Sequence, residues 1–211
     1  MNRLVLSIIA LAGCLTVNGE APDFNCKRGV GYPKEVCYVP ECTDAIKAHI
    51  QHEFNAAFKY MYMGAYFGQD TVNRPGLSKF LLEAASEERS HAIQMLDYLN
   101  LRGIKLDSTL DYKFDPDTML SSTTGYKETL EEALNMEIEV TDLINNVVIK
   151  CSDDYHGADV FTNPILDEQH DGVRKLQGAI RSFNDLLAGH TGNGLQLAEY
   201  LFDKKMMSGE F

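Results

Sequence analysis

The chain has 211 residues, 45% of them hydrophobic and 24% charged, which is globular composition and neither disordered nor fibrous. Nineteen basic residues against 31 acidic ones give a net charge of −12. Nucleic acid and anionic lipid both need clustered Lys and Arg, so this balance argues against either as the main partner and fits the attraction of cations.

Residues 1–19 carry Arg3 and then an apolar run from Leu4 to Leu15, with small residues before a cleavage point after Gly19. This is the anatomy of a secretory signal peptide, and the run is too short for a comfortable membrane span. The stretch Leu11-Ala12-Gly13-Cys14 also matches a bacterial lipoprotein signal, a short pattern that the rest of the chain does not favour. No later stretch is apolar and long enough to cross a bilayer. The expected location is therefore secreted or within the secretory lumen.

Residues 20–42 form a Pro- and Gly-bearing extension with Cys26, Cys37 and Cys42; the remaining cysteine is Cys151. An even number in a secreted chain predicts disulfides, and four cysteines leave three pairings open. The extension is then stapled to itself, to the body through Cys151, or to another subunit. No Asn-x-Ser/Thr sequon is present.

Thr43 or Asp44 is placed to cap the first helix, which runs to about Asp70 with Ile46, Ile50, Glu53, Ala57, Tyr60, Gly64 and Phe67 on one face. Asn73-Arg74-Pro75-Gly76 breaks it. A second stripe takes Leu77, Leu81, Ala84, Glu88, His91, Met95 and Tyr98 and stops at Gly103. Residues 104–124 are polar and read as a long connection. The third stripe is Leu130, Leu134, Glu137, Thr141, Ile144, Val148 and Cys151. After a break at Asp153–Gly157, the fourth runs through Leu166, Gln169, Val173, Leu176, Ile180 and Phe183, with Pro164 expected to kink it. A short fifth helix spans Leu195 to about Met206. Four helices of similar length predict an all-α four-helix bundle over residues 43–190, followed by the fifth helix and tail over 191–211. The tight first turn makes the first pair antiparallel. The long connection can cross the bundle, so the second and third helices run parallel.

Polar residues interrupt these apolar faces at one depth. Glu53, Glu88, His91, Glu137 and Gln169 all lie near mid-helix, and no Lys or Arg shares the stripes. A buried, unpaired carboxylate costs several kcal/mol, so three need compensation, and a metal cation supplies it. Oxygen-rich ligation with one imidazole suits iron or manganese better than structural zinc. Glu88-x-x-His91 puts both side chains on one face, the dimetal signature of such bundles. Asp167-x-x-His170 competes on the fourth helix but lies off the stripe centre, which favours Gln169. For Tyr60, spacing leaves core packing and reach into the site equally open.

The stretches Glu53-Phe54 through Tyr60, Ser86-Glu87-Glu88-Arg89-Ser90-His91, Glu137, Leu166-Asp167-Glu168-Gln169 and Leu197-Ala198-Glu199-Tyr200-Leu201-Phe202-Asp203-Lys204 resemble ferritin, from about residue 43 to the C-terminus. The signal peptide and extension make the chain similar to the secreted, insect-type heavy-chain (ferroxidase) subunits of that family. The resemblance implies a ferritin-like bundle and a shell of about twenty-four subunits, of this chain alone or mixed with a light-chain type, with the fifth helix lining an axis. It implies iron storage and detoxification: oxidation of Fe²⁺ to Fe³⁺ by O₂ at a di-iron site, and storage as a mineral. The family's iron ligands fall on Glu53, Glu88, His91, Glu137 and Gln169, its site tyrosine on Tyr60 and its further carboxylate on Glu87. Light-chain subunits lack part of this set, and this chain keeps it all. Where the family commonly has two carboxylates at the three-fold opening, this chain has Asp159 and Thr162, so one acidic ring is expected there, helped by Asp153 and Asp154. Two other classes share the topology: a secreted four-helix signalling protein, whose stripes should be apolar, and a shell subunit without oxidase activity.

Overall fold

The computed structural model describes residues 26–106 and 125–210. The signal peptide, the lipoprotein-like pattern at Cys14 and most of the 104–124 connection lie outside the described residues. The part of the extension that is described is more regular than expected. Strand β1 (Lys27–Arg28) pairs antiparallel with β2 (Cys37–Tyr38), Lys27 opposite Tyr38 and Arg28 opposite Cys37.

Among the described residues six helices follow: α1 (Pro40–Phe67), α2 (Pro75–Leu101), α3 (Tyr126–Lys150), α4 (Tyr155–Val160), α5 (Leu166–Leu187) and α6 (Asn193–Ser208). Helix α1 starts earlier than Thr43 or Asp44, and neither caps it. Pro40 stands at its first turn, where a missing N–H costs nothing and φ is already helical. The Thr43 hydroxyl instead donates to the Pro40 carbonyl at 3.1 Å. At its other end the helix stops at Phe67, short of Asp70.

Pairs of touching residues fix the directions. Ser78 Oγ donates to the Gly64 carbonyl, so α1 and α2 form an antiparallel hairpin. Cys42 joins Cys151, and Tyr60 reaches Ala133, so α1 and α3 are antiparallel as well. Helices α2 and α3 therefore run parallel, as the long connection predicts. Thr141 meets Gln169 across the antiparallel α3–α5 pair. The core between the four long elements contains Ile46, Ile50, Phe67, Leu81, Met95, Leu130, Ile144, Leu176 and Phe183, each at most 2% exposed.

The fourth bundle element is kinked at Pro164, as the sequence predicts. It restarts at Tyr155, inside the segment expected to be a break, because the Asp154 side chain caps it by accepting from the Gly157 N–H at 3.1 Å. The helix is then interrupted within Phe161–Ile165, where Asn163 is extended (φ −149°, ψ 111°). Pro164 explains this: it lacks an N–H, and its ring drives the preceding residue out of the helical region.

Helix α6 is docked by a cap supplied from outside α2. Asp203 accepts from the Gly76 and Leu77 N–H groups at 3.1 and 2.9 Å, satisfying two free donors at the start of α2. A Cβ at Gly76 would collide with the Asp203 carbonyl, so only glycine allows the approach. Arg74 adds an ion pair to Glu199 at 2.6 Å.

Both disulfides lie near one end. Cys26–Cys37 closes the hairpin, and Cys42–Cys151 ties the first turn of α1 to the end of α3. Of the three possible pairings, the structure selects the one that staples the extension to itself and α1 to the body. Beside them, buried Arg102 donates to both Asp154 oxygens at 2.9 Å, to Tyr98 Oη at 2.6 Å and to the Cys37 carbonyl. One ion pair thus joins the hairpin, the end of α2 and the start of α4.

Burial alone would raise the Asp154 carboxyl. The Arg102 guanidinium and the Gly157 and Val39 N–H groups outweigh it and hold the carboxyl below the usual range. Arg102→Met strands this buried carboxylate and is expected to destabilise the fold by about 3 kcal/mol, read as a lowered thermal midpoint. A carboxyl held low stabilises fully above its unfolded pKa of about 3.9 and loses that contribution as pH falls through the folded value. The gap between wild type and variant should therefore narrow below about pH 4. An equal gap at pH 7 and pH 3 would contradict this account.

Candidate metal centre

Helical spacing brings acidic and imidazole groups from four elements into one interior. On α1, Glu53 and Tyr60 are at most 1% exposed; on α2, Glu88 and His91 are three residues apart and 2–3% exposed; α3 contributes Glu137 at 7% and α5 contributes Gln169 at 2%. All five expected ligands and Tyr60 are buried here, as their stripes require.

The tightest group is Glu53, Glu88 and His91, whose ligand atoms lie within 4.8 Å of one another. His91 Nδ1 stands 3.6 Å from Glu53 Oε2 and 3.5 Å from Glu88 Oε2. Glu137 stands beside this trio and is fixed by Tyr60, whose hydroxyl donates to Glu137 Oε1 at 2.5 Å. Gln169 connects the two halves: its Nε2 donates to Glu88 Oε1 at 3.4 Å, and Thr141 Oγ1 lies 3.3 Å from its Oε1. Asp167 and His170 are exposed, while Gln169 is buried.

The chemistry of this donor set fits a cation. Both Glu53 oxygens, Glu88 Oε2 and His91 Nδ1 are buried without a hydrogen-bond partner among the described residues. Leaving such atoms unsatisfied costs free energy that a divalent ion would recover. Burial pushes the Glu88 carboxyl up to about 7, helped by Glu53, and the Glu137 carboxyl up to about 8, helped by the Glu88 charge. Burial acts to lower His91, but its carboxylate neighbours Glu53, Glu88 and Glu168 prevail and raise it to about 11. Without a cation, the His91 imidazolium is thus the positive charge among the acids. Tyr60 is raised well above its ordinary value by burial and by Glu137, so it stays a proton donor.

Two neighbours were missed by the stripes. Glu168 Oε2 lies 2.8 Å from His91 Nε2, although the Glu168 side chain is 55% exposed. No periodic signal marks a residue that reaches back from the rim. His49 Nε2 lies 2.8 Å from Glu53 Oε1, with 1% of its side chain exposed, and burial lowers its pKa to about 4. Its signal was available: Ile46, His49 and Glu53 step by three and four as regularly as Ile46, Ile50 and Glu53.

A cleft of about 540 Å³ between α2 and α5 leads to the trio, lined by Glu83, Glu87, Glu137, Glu168 and Gln169 among others. Glu87 is exposed at its wall, its carboxyl raised chiefly by partial burial. Asp159 and Asp153 are exposed around α4. Asp154 does not join them, contrary to the expectation from sequence: it is buried in the Arg102 pair, where its charge is already neutralised.

Comparison with known proteins adds the following. The family profile described as Ferritin-like domain matches residues 43–186. A ferritin heavy chain of Trichoplusia ni is 37% identical over 98% of both chains. A ferritin heavy chain of Drosophila melanogaster is 34% identical over 98% of this chain and 100% of its own. The crystal structure of Trichoplusia ni secreted ferritin superposes with a TM-score of 0.71 at 36% identity, over 86% of this chain and 96% of that one.

Because Glu88 and Glu137 hold protons near neutrality, a cation must displace them. Zn²⁺ affinity should rise between pH 6 and pH 8, with protons released on binding. Calorimetry in two buffers of different ionisation enthalpy measures the release. Binding without it would contradict this charge arrangement.

Proposed function

The chain belongs to the ferritin family, and on that premise we propose that it is a ferroxidase subunit for iron storage and detoxification. It oxidises Fe²⁺ with O₂ between its helices and stores the Fe³⁺ as a mineral inside a shell of about twenty-four subunits, with or without a light-chain type. The observation that carries this reading is the set of partnerless buried ligand atoms on Glu53, Glu88 and His91, facing one another beside Glu137 and Gln169.

Glu88 and His91 would hold the first Fe²⁺ and Glu137 with Gln169 the second, with one glutamate between them. Three carboxylates nearly balance the charge of two divalent ions. O₂ takes one electron from each Fe²⁺. Carboxylates prefer the harder Fe³⁺ and so favour the product. Gln169 is neutral and leaves the second position the weaker one, which lets oxidised iron move on to the mineral. Tyr60 keeps its proton and aims Glu137 by the 2.5 Å contact. Glu168 accepts from His91 Nε2–H, which leaves the Nδ1 lone pair for the metal. The cleft past Glu87 and Glu83 is the acidic path on this side, and Asp159 lines the route by which iron reaches the shell interior. The two disulfides and the likeness to a secreted ferritin support an oxidising, secretory location.

Glu88→Ala combined with His91→Ala should abolish fast O₂-dependent Fe²⁺ oxidation, followed in a stopped-flow spectrometer, while native sizing still shows the assembled shell. Undiminished oxidation in that variant would falsify the site. A shell subunit without oxidase activity would assemble equally but consume Fe²⁺ no faster than buffer. Glu168→Leu should weaken cation binding about tenfold, with Glu168→Gln recovering part of it, since the amide oxygen still accepts from Nε2–H. Equal binding in Glu168→Leu and wild type would remove that role.

A further inference from the structure

His49 occupies the same interior but belongs to none of the roles above. It stands one helical turn before Glu53 on α1, with 1% of its side chain exposed. Its ring packs edge-on against Phe161, centroids 5.8 Å apart, and tilted against His52 at 6.0 Å. These contacts hold the ring with Nε2 at Glu53 Oε1, 2.8 Å away. Neither atom has a hydrogen bond of normal geometry among the described residues. Two lone-pair atoms left together in a dry interior are costly unless something positive lies between them.

A shared proton would satisfy the pair only if the N–H pointed along the contact. A metal ion imposes no such line. Ligand atoms about 2.1 Å from one ion and at right angles to each other are about 3 Å apart, close to the spacing here. Glu53 also presents its other oxygen to His91 Nδ1 on α2, so an imidazole faces each side of one carboxylate.

We propose that His49 Nε2 is a nitrogen ligand of a divalent cation bound through Glu53, giving the centre one imidazole from each helix of the α1–α2 pair. This deepens the ferrous site proposed above and rests on that reading. A second imidazole shifts the donor set away from pure oxygen chemistry. It favours Fe²⁺ and Zn²⁺ over hard, oxygen-seeking Mg²⁺, and so selects transition-metal ions from the more abundant alkaline-earth ones.

Zn²⁺ is the probe, since it binds without being oxidised. The full assembled protein is crystallised with Zn²⁺, and the ion is located by anomalous scattering. The expected result is an ion about 2.1 Å from His49 Nε2 that also touches Glu53. Zn²⁺ on Glu88 and His91 with His49 Nε2 beyond bonding reach overturns this proposal and leaves the ferrous site standing. No Zn²⁺ on Glu53, Glu88 or His91 overturns both. In solution, His49→Leu should weaken Zn²⁺ binding at least tenfold by calorimetry while Mg²⁺ binding stays unchanged. Equal Zn²⁺ affinity in folded His49→Leu and wild type counts against the ligand role. If that variant does not assemble, the crystallographic result on the wild-type protein decides.

Discussion

Carboxylates forced into a dry interior are the constraint around which this molecule is arranged. Glu53, Glu88 and Glu137 would each prefer water, and helix packing denies it to them. The cost is met in three ways. Two carboxyls have raised pKa values and hold protons near neutrality. His91 carries the compensating positive charge. Tyr60 and Gln169 each supply a donor. What stays unsatisfied is a compact group of lone pairs, and this remainder makes the interior a place for a cation rather than an unstable core.

The scaffold is stiffened around that remainder. Each end of the bundle has its own fastening. At one end lie the Cys42–Cys151 bridge and the Arg102–Asp154 pair, which also holds the extension's hairpin. At the other, Asp203 of α6 caps the start of α2 and Arg74 pairs with Glu199. Ligand atoms are useful to a metal only if their positions are held to a fraction of an ångström, and elements anchored at both ends hold them better than loops do. The kink at Pro164 falls between α4 and α5, just before Gln169, so the part of the fourth element that carries Gln169 begins as a fresh helix.

The neighbours of His91 and Glu53 refine the electrostatics. An exposed carboxylate at Glu168 fixes one ring nitrogen of His91 from the rim, while His49 approaches Glu53 from the opposite side. The result is a line of alternating acids and imidazoles from the cleft inward.

Much of this was legible in the chain. The steps of three and four fixed four long helices, their order and the depth at which Glu53, Glu88, His91, Glu137 and Gln169 interrupt them. Pro164 announced the kink, and the length of the connection announced parallel α2 and α3. These are properties of one helix or one link at a time, and periodicity records them directly. The partners of Cys42, Asp154, Asp203, Glu168 and His49 could be decided only by the tertiary structure. Each depends on how far one helix is rotated and slid against another, and on how far a flexible side chain reaches across the gap. A stripe shows which residues turn inward; it holds no record of which atom, on which neighbouring element, each of them meets.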